Sequence, residues 1–194
     1  MLLSKRIQVL SPSLTLAITA LARDLKAQGR DVLSFSAGEP DFDTPKVVKD
    51  AAIAAINSGF SKYTAVAGTP EVLKAIAGKL KRENNLEYKP SDIVVNVGAK
   101  HSLFNIFQAI IDDGDEVIIP SPYWVTYPEI VKYCGGEPVY IDTDETSGFK
   151  ITAAQLKAAI TPKTKVLLIN TPSNPTGSIY SKAELEALAE VLKG

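Results

Sequence analysis

The run 165–177 constrains the fold of this chain more than any other stretch. Its first half, Lys165-Val166-Leu167-Leu168-Ile169-Asn170, is short and apolar, the pattern of a fully buried strand. Its second half, Thr171-Pro172-Ser173-Asn174-Pro175-Thr176-Gly177, holds two prolines and a glycine and cannot continue that strand. The two halves therefore read as a strand and the loop at its carboxyl end. Ser181 follows as an N-cap, and Glu184 completes a capping box for a closing helix. Open α/β sheets place ligands outside the carboxyl ends of their strands. Asn174 is the amide in this loop that can offer both a donor and an acceptor to a bound group.

The rest of the chain supports such a sheet. Apolar residues at helical spacing (Leu14, Ala17, Ile18, Leu21, Leu25) predict a helix over 14–26 that stops at Gly29. Residues 32–36 read as a short strand and 37–43 as a loop. Thr44-Pro45 and Thr69-Pro70 each read as an N-cap followed by proline at the first helical position. The helices they open run to about 58, ending at Gly59, and to about 84. The stretch between them, 60–68, is irregular and contains Tyr63. Strands are expected at 93–97, 116–119 and 138–141, the last near an edge, with helices at 99–111 and 127–134. Pro128 would sit in the first turn of the second helix, and Gly135-Gly136 would break it. Thr152 with Gln155 is a further capping box, for a helix ending near Thr161-Pro162. Strand and helix alternate from Ile93 onward, so the class is α/β with a mostly parallel sheet. Residues 1–40 read as an arm or part of another domain, and 41–194 as the sheet-bearing part.

Composition narrows the function. The chain has 194 residues, 45% hydrophobic and 22% charged, an ordinary globular composition. With 21 Lys plus Arg against 22 Asp plus Glu, the net charge is −1, so no basic excess points to nucleic acid. No apolar run reaches the roughly 18 residues of a membrane span, and no h-region follows the amino terminus. One cysteine and one histidine exclude a His/Cys zinc site. Cys134 reads as a buried small hydrophobe, and the lack of a possible internal disulfide makes the cytoplasm the expected location.

Three loops carry unusual content, and a parallel sheet would put them on one edge. Gly98-Ala99-Lys100-His101-Ser102 opens a helix, where free N–H groups and the helix dipole favour a phosphate. Trp124 lies in the proline-bounded loop Pro120-Ser121-Pro122-Tyr123-Trp124, where an indole could stack on a flat ring. Asn174 is the third. Each has a plainer reading: a turn glycine, a packing indole, a turn-forming asparagine. Lys100 alone is a solvated charge, Tyr63 plain packing, and one His101 supports no Ser/His/Asp arrangement. Periodicity and spacing lead to an α/β ligand-binding domain and no further.

Five motifs add a family likeness: Ala37-Gly38-Glu39-Pro40-Asp41-Phe42-Asp43-Thr44-Pro45, Lys62-Tyr63-Thr64, Val97-Gly98-Ala99-Lys100, Ser121-Pro122-Tyr123-Trp124 and Asn174-Pro175-Thr176-Gly177. In this order and spacing the chain resembles the N-terminal half of a class I aminotransferase. That is the pyridoxal 5′-phosphate (PLP) dependent transferase fold of type I, and the likeness is to the bacterial aspartate and glutamate/aspartate–prephenate subgroup. The resemblance implies a partial large domain with a mostly parallel sheet, truncated, preceded by an arm and small-domain segment. It implies that the backbone of Gly98, Ala99 and Lys100 holds the cofactor phosphate and that Trp124 stacks on the pyridine ring. Asn174 would hydrogen-bond the phenolic oxygen and contact the substrate carboxylate. Gly38 would meet the substrate through its backbone, and Tyr63 would reach a neighbouring subunit's cofactor in a homodimer. Ser13, Thr15 and Lys100 would help hold an acidic side chain. The Asn174–Pro175 and Ser121–Pro122 bonds would be cis.

The likeness also implies what these residues do not contain. The Schiff-base lysine, the aspartate facing the ring nitrogen and the arginine for the α-carboxylate match family positions beyond Gly194. No catalytic lysine is therefore assigned within 1–194, and the sequence is expected to be a fragment. Its parent would transaminate aspartate or a related acidic amino acid with 2-oxoglutarate, while the 194 residues alone would be inactive. With an unpaired sheet edge exposed, they would also tend to aggregate. The alternatives are a non-catalytic phosphate- or cofactor-binding module, and another fold-type-I enzyme such as a carbon–sulfur lyase.

Overall fold

The computed structural model describes residues 3–35, 38 and 40–193. Ser36 of the expected strand over 32–36, Ala37 and Glu39 of the first motif, and Gly194 lie outside the described residues. In chain order the elements are α1 (Lys5–Gln8), α2 (Leu14–Ala27), α3 (Lys46–Asn57), α4 (Pro70–Asn84), α5 (Gly98–Ile110), β1 (Glu116–Ser121), α6 (Thr126–Tyr133), β2 (Glu137–Asp142), α7 (Ala153–Ala159), β3 (Thr164–Leu167) and α8 (Lys182–Leu192). The chain divides into two compact units, residues 14–99 and residues 1–13 with 100–194.

The second unit is built on a parallel sheet in the order β2-β1-β3, with β2 at an edge as expected. β1 is the centre. Successive strand residues point to opposite faces, so Val117 and Ile119 face one way and Ile118 the other. All three have no exposed surface. On the first face they pack with Phe107 and Ile111 from and after α5, and with Tyr127, Ile130 and Val131 of α6. On the second, Ile118 packs with Ile141 of β2, Ile151, Leu156 of α7, Tyr180 and Leu188 of α8. Helices cover both faces, the arrangement that parallel strands require.

Local chemistry sets several element ends where the sequence put them. Thr152 Oγ1 accepts from the Gln155 N–H at 3.2 Å, and Gln155 Oε1 accepts from the Thr152 N–H at 2.9 Å. Ser181 and Glu184 form the same reciprocal box at 3.3 and 2.7 Å. Thr69 caps α4 through the Val72 N–H. α2 ends in a Schellman turn: Gly29 has φ +80°, its N–H reaches Lys26 O and the Arg30 N–H reaches Leu25 O. Pro128 occupies the first turn of α6.

Five expectations are corrected. Residues 93–97 form no strand. A strand exists only by pairing, and the Val95 N–H goes instead to the carbonyl of Ala67, outside any ladder. Val94 and Val97 are 61% and 88% exposed. The described residues of 32–36 are likewise outside any strand. The run 165–170 is neither fully buried nor all strand. β3 ends at Leu167 and, among the described residues, has only β1 beside it, so its residues are half-buried with Lys165 exposed. Thr44 does not cap α3, which starts one residue later with no side-chain cap. Cys134 is also half-buried rather than buried, with Gln108 Nε2 donating to its sulfur at 3.4 Å.

In the unit 14–99, α2, α3 and α4 bury no residue, so their apolar faces are open among the described residues.

One ion pair ties α8 to the turn before α7. Lys150 Nζ donates to Glu184 Oε1 at 2.5 Å. This bond, then the N–H and hydroxyl of Ser181, hold the Glu184 carboxyl down to about 2 from its ordinary 4.5. A carboxyl depressed in the folded state stabilises it fully above the ordinary value, and that contribution is lost as the pH falls toward the folded one. Glu184→Gln should therefore flatten the loss of stability between about pH 4.5 and about 2. Urea midpoints across that window check this, and parallel acid limbs for the two proteins would refute it.

Candidate ligand site at the carboxyl edge of the sheet

The loops that follow β1 and β3 leave the sheet at the same edge, because the two strands are parallel neighbours. After β1 the chain turns at a cis Ser121–Pro122 bond and reaches Trp124. The indole is half-buried against the core face made by α5 and α6, edge-on to Tyr127 with ring centroids 5.5 Å apart. The ammonium of Lys100, in the first turn of α5, lies 5.1 Å from the centre of the Trp124 ring. That is within cation–π range. The structure thus brings together two of the expected residues, 24 positions apart in sequence.

α5 opens at Gly98, whose φ is +81°. This is the backbone region that glycine enters without cost. The first N–H groups of a helix have no intrahelical acceptor; that of Gly98 turns back to the Asn96 carbonyl at 2.9 Å, and those of Ala99 and Lys100 follow it in the first turn.

After β3 the chain enters a loop that hydrogen-bonds to itself. It contains cis bonds at Thr171–Pro172 and Asn174–Pro175. The second of these and the cis bond before Pro122 match the expectation, while the first was not foreseen. The Ser173 N–H donates to Ser178 O at 2.9 Å and the Gly177 N–H to Ser173 O at 2.8 Å. The Asn174 N–H donates to Asn170 Oδ1 at 2.8 Å. The exposed side-chain amide of Asn174 bonds to no protein group among the described residues.

Asn174 lines a cavity with Pro120, Tyr123, Phe149, Asn170 and Ser173. Among the described residues no carboxylate or ammonium lines it, so the polar groups they contribute are neutral amides and hydroxyls. Trp124 is not in its lining, but Tyr123 and Tyr127 are. Tyr123 stacks on Tyr140 with centroids 5.1 Å apart. Burial, and then the hydrogen bond with Tyr123, push the Tyr140 hydroxyl up to about 12, so it stays protonated near neutral pH. Phe149 holds φ +58°, which a bulky side chain rarely adopts. Phe149 and Asn170 were missed by sequence reasoning. An amide closing an apolar run two residues before a proline was the available signal for Asn170; Phe149 had none.

The other expected residues are placed as follows. Gly38 has open space where a Cβ would stand. Tyr63 is fully exposed beside Ser61 and Lys62. Ser13 and Thr15 are exposed, Thr15 in the first turn of α2 with its carbonyl accepting from Thr19 Oγ1 at 2.8 Å. No group of three or more potential metal ligands occurs among the described residues. No described helix is long and apolar enough to cross a membrane.

A family model described as aminotransferase class I and II matches residues 30–194. The chain belongs to this family. It is 56% identical over 190 residues to the aspartate aminotransferase of Bacillus sp. (strain YM-2), covering 98% of this chain and 48% of that protein. It is 56% identical over 193 residues to the aspartate/prephenate aminotransferase of Nitrosomonas europaea, covering 100% and 49%. Among solved structures, the Thermus thermophilus aspartate aminotransferase with maleate superimposes with a TM-score of 0.96 at 49% identity, covering 100% of this chain and 50% of that one. The fold is thus that of the type I aminotransferases, α/β with a parallel sheet, and the chain spans about half the length of these relatives.

Proposed function

We propose that the protein carrying this chain is a PLP-dependent aminotransferase acting on aspartate or a related acidic amino acid with 2-oxoglutarate. The observation that carries the reading is one sheet edge. It presents a cation seated on an indole and a neutral amide left unbonded in a neutral cavity. That chemistry suits a flat, anionic ring compound. The family's cofactor fits this donor set, and when bound it supplies an electron sink for the carbon being deprotonated.

In this reading the backbone N–H groups of Gly98, Ala99 and Lys100 hold the phosphate, assisted by the helix dipole. Trp124 offers its face to the ring. The Lys100 ammonium lies against the indole, placing positive charge beside the anion. The Asn174 amide donates to the phenolic oxygen and meets the substrate carboxylate. Gly38 meets the substrate through its main chain, and Ser13, Thr15 and Lys100 receive its acidic side chain. Tyr63, whose ring is fully exposed, reaches the cofactor of a second copy in a homodimer. Residues 1–40 serve as arm and small-domain segment and 41–194 as the cofactor-binding part. The location is cytoplasmic. Support for the acidic substrate comes from the relatives named for aspartate and from the neighbour solved with maleate.

The test is a coupled assay of the full-length protein with aspartate and 2-oxoglutarate, run beside prephenate and a cysteine-derived thioether. Turnover of aspartate that depends on added PLP is expected. Release of thiol and pyruvate without amino transfer would replace this reading by a lyase. A peptide of residues 1–194 is expected to show no turnover in the same assay, since the lysine that binds the cofactor covalently is not assigned within it.

A further inference from the structure

We infer that Asn170 is a positioning residue for Asn174: its side-chain oxygen, by holding the Asn174 main-chain N–H, sets the direction in which the Asn174 amide leaves the loop. The inference rests on the role proposed for Asn174 above. It starts from an accounting of main-chain donors between residues 170 and 180. Pro172 and Pro175 have none. The Ser173 and Gly177 donors close the loop on itself through Ser178 and Ser173. The Ser178 N–H turns back to Thr176 Oγ1 at 3.2 Å, and the Tyr180 N–H reaches Thr171 Oγ1 at 3.1 Å. The Asn174 N–H has no such main-chain acceptor. It is the group that ties the tip of the loop back to the end of the run leaving β3, and Asn170 Oδ1 receives it at 2.8 Å.

The choice of side chain matters. Serine is too short to span four residues. A carboxylate would make the same bond but add a negative charge to a lining that has none among the described residues. An amide supplies the acceptor without charge. Asn170 and Asn174 both line the cavity, so the hydrogen bond lies beside the ligand space and not behind it. Without it, the self-closed segment 173–178 keeps its internal bonds but loses its tether. The Asn174 amide then samples several directions, and displacements near 1 Å can cost about a hundredfold in rate.

The test uses the full-length protein loaded with PLP and reads the pH midpoint of the cofactor's visible absorbance. A donor to the phenolic oxygen favours the form in which that oxygen carries its full negative charge, so losing the donor raises the midpoint. Asn170→Ala and Asn174→Ala are each expected to raise it by about one pH unit. The double variant should move no further than Asn174→Ala alone, since the first residue acts through the second. Asn170→Ser, whose hydroxyl falls short of the N–H, takes the place of Asn170→Ala if that variant does not fold. In cofactor-free protein, the Asn174 main-chain N–H should exchange with solvent about tenfold faster in Asn170→Ala and remain slow in Asn170→Asp, which keeps the acceptor.

An unmoved midpoint in Asn170→Ala beside a shifted one in Asn174→Ala would overturn the inference and leave Asn174's role intact. So would additive shifts in the double variant. An unmoved midpoint in Asn174→Ala itself would overturn both.

Discussion

Asn174→Ala in the full-length protein should lower kcat/KM for aspartate by about a hundredfold, the scale of losing one preorganised donor at a reacting centre. The expectation follows from how the loop divides its polar groups. The main-chain N–H of Asn174 is bound to Asn170, while the side-chain amide is exposed and left without a protein partner among the described residues. Truncation therefore removes a group the fold does not use. The bonds that shape the loop all survive, since those at Ser173, Gly177, Ser178 and Tyr180 involve other atoms. Stability should change by no more than about 0.5 kcal/mol, as for a surface substitution away from packing and caps. The signature is a large fall in kcat/KM with an unmoved Tm. Asn174→Asp should be at least as damaging, because it loses both donors and puts a charge where an anion is proposed to bind. Steady-state kinetics with paired thermal melts check both. A loss of less than about threefold, with PLP bound, would remove Asn174 from the site.

What the sequence revealed, and what it hid, follow from the range of the interactions involved. The boxes at Thr152 and Ser181 and the cap at Thr69 depend on side chains three residues apart, so they could be read from the chain directly. The α/β class was legible because alternation of strand and helix is also local, and the comparisons bear it out. The segment 93–97 misled because its valines state a preference for strand, whereas a strand needs a partner the pattern cannot name. The run 165–170 misled for a related reason. Apolar content suggests burial, but among the described residues β3 has a strand, β1, on one side only. At the site, the individual residues Lys100, Trp124 and Asn174 could be named from motifs. The contact between Lys100 and Trp124 could not, since it depends on α5 and the loop after β1 folding onto one face. The bond from Asn174 to Asn170 spans only four residues, yet prolines on either side remove the regular patterns by which such bonds are usually recognised.

Ile118→Ala should cost about 2–5 kcal/mol of unfolding free energy, and Ile118→Val about 0.5–1.5 kcal/mol. Ile118 is one of the fully enclosed side chains of the sheet unit. It sits on the central strand, opposite Val139 of β2 and Leu167 of β3. Its side chain has no exposed surface and packs with Ile141, Leu156 and Leu188. Shortening it opens a void bounded by a flanking strand and by α7 and α8. The strand spacing is set by main-chain bonds, among them the Leu168 N–H to the Ile118 carbonyl at 2.9 Å. The walls therefore cannot close by moving the strands, and the cost should fall in the upper part of the range. The substitution also separates core from site. Ile118 points away from the face carrying Trp124, so in the full-length protein the folded fraction should keep its kcat while the urea midpoint drops at unchanged slope. A graded loss from isoleucine to valine to alanine would identify a rigid three-layer core. A loss below about 1 kcal/mol for alanine would mean that α7 and α8 relax into the void, and that the sheet's second face is packed more loosely than its complete burial implies.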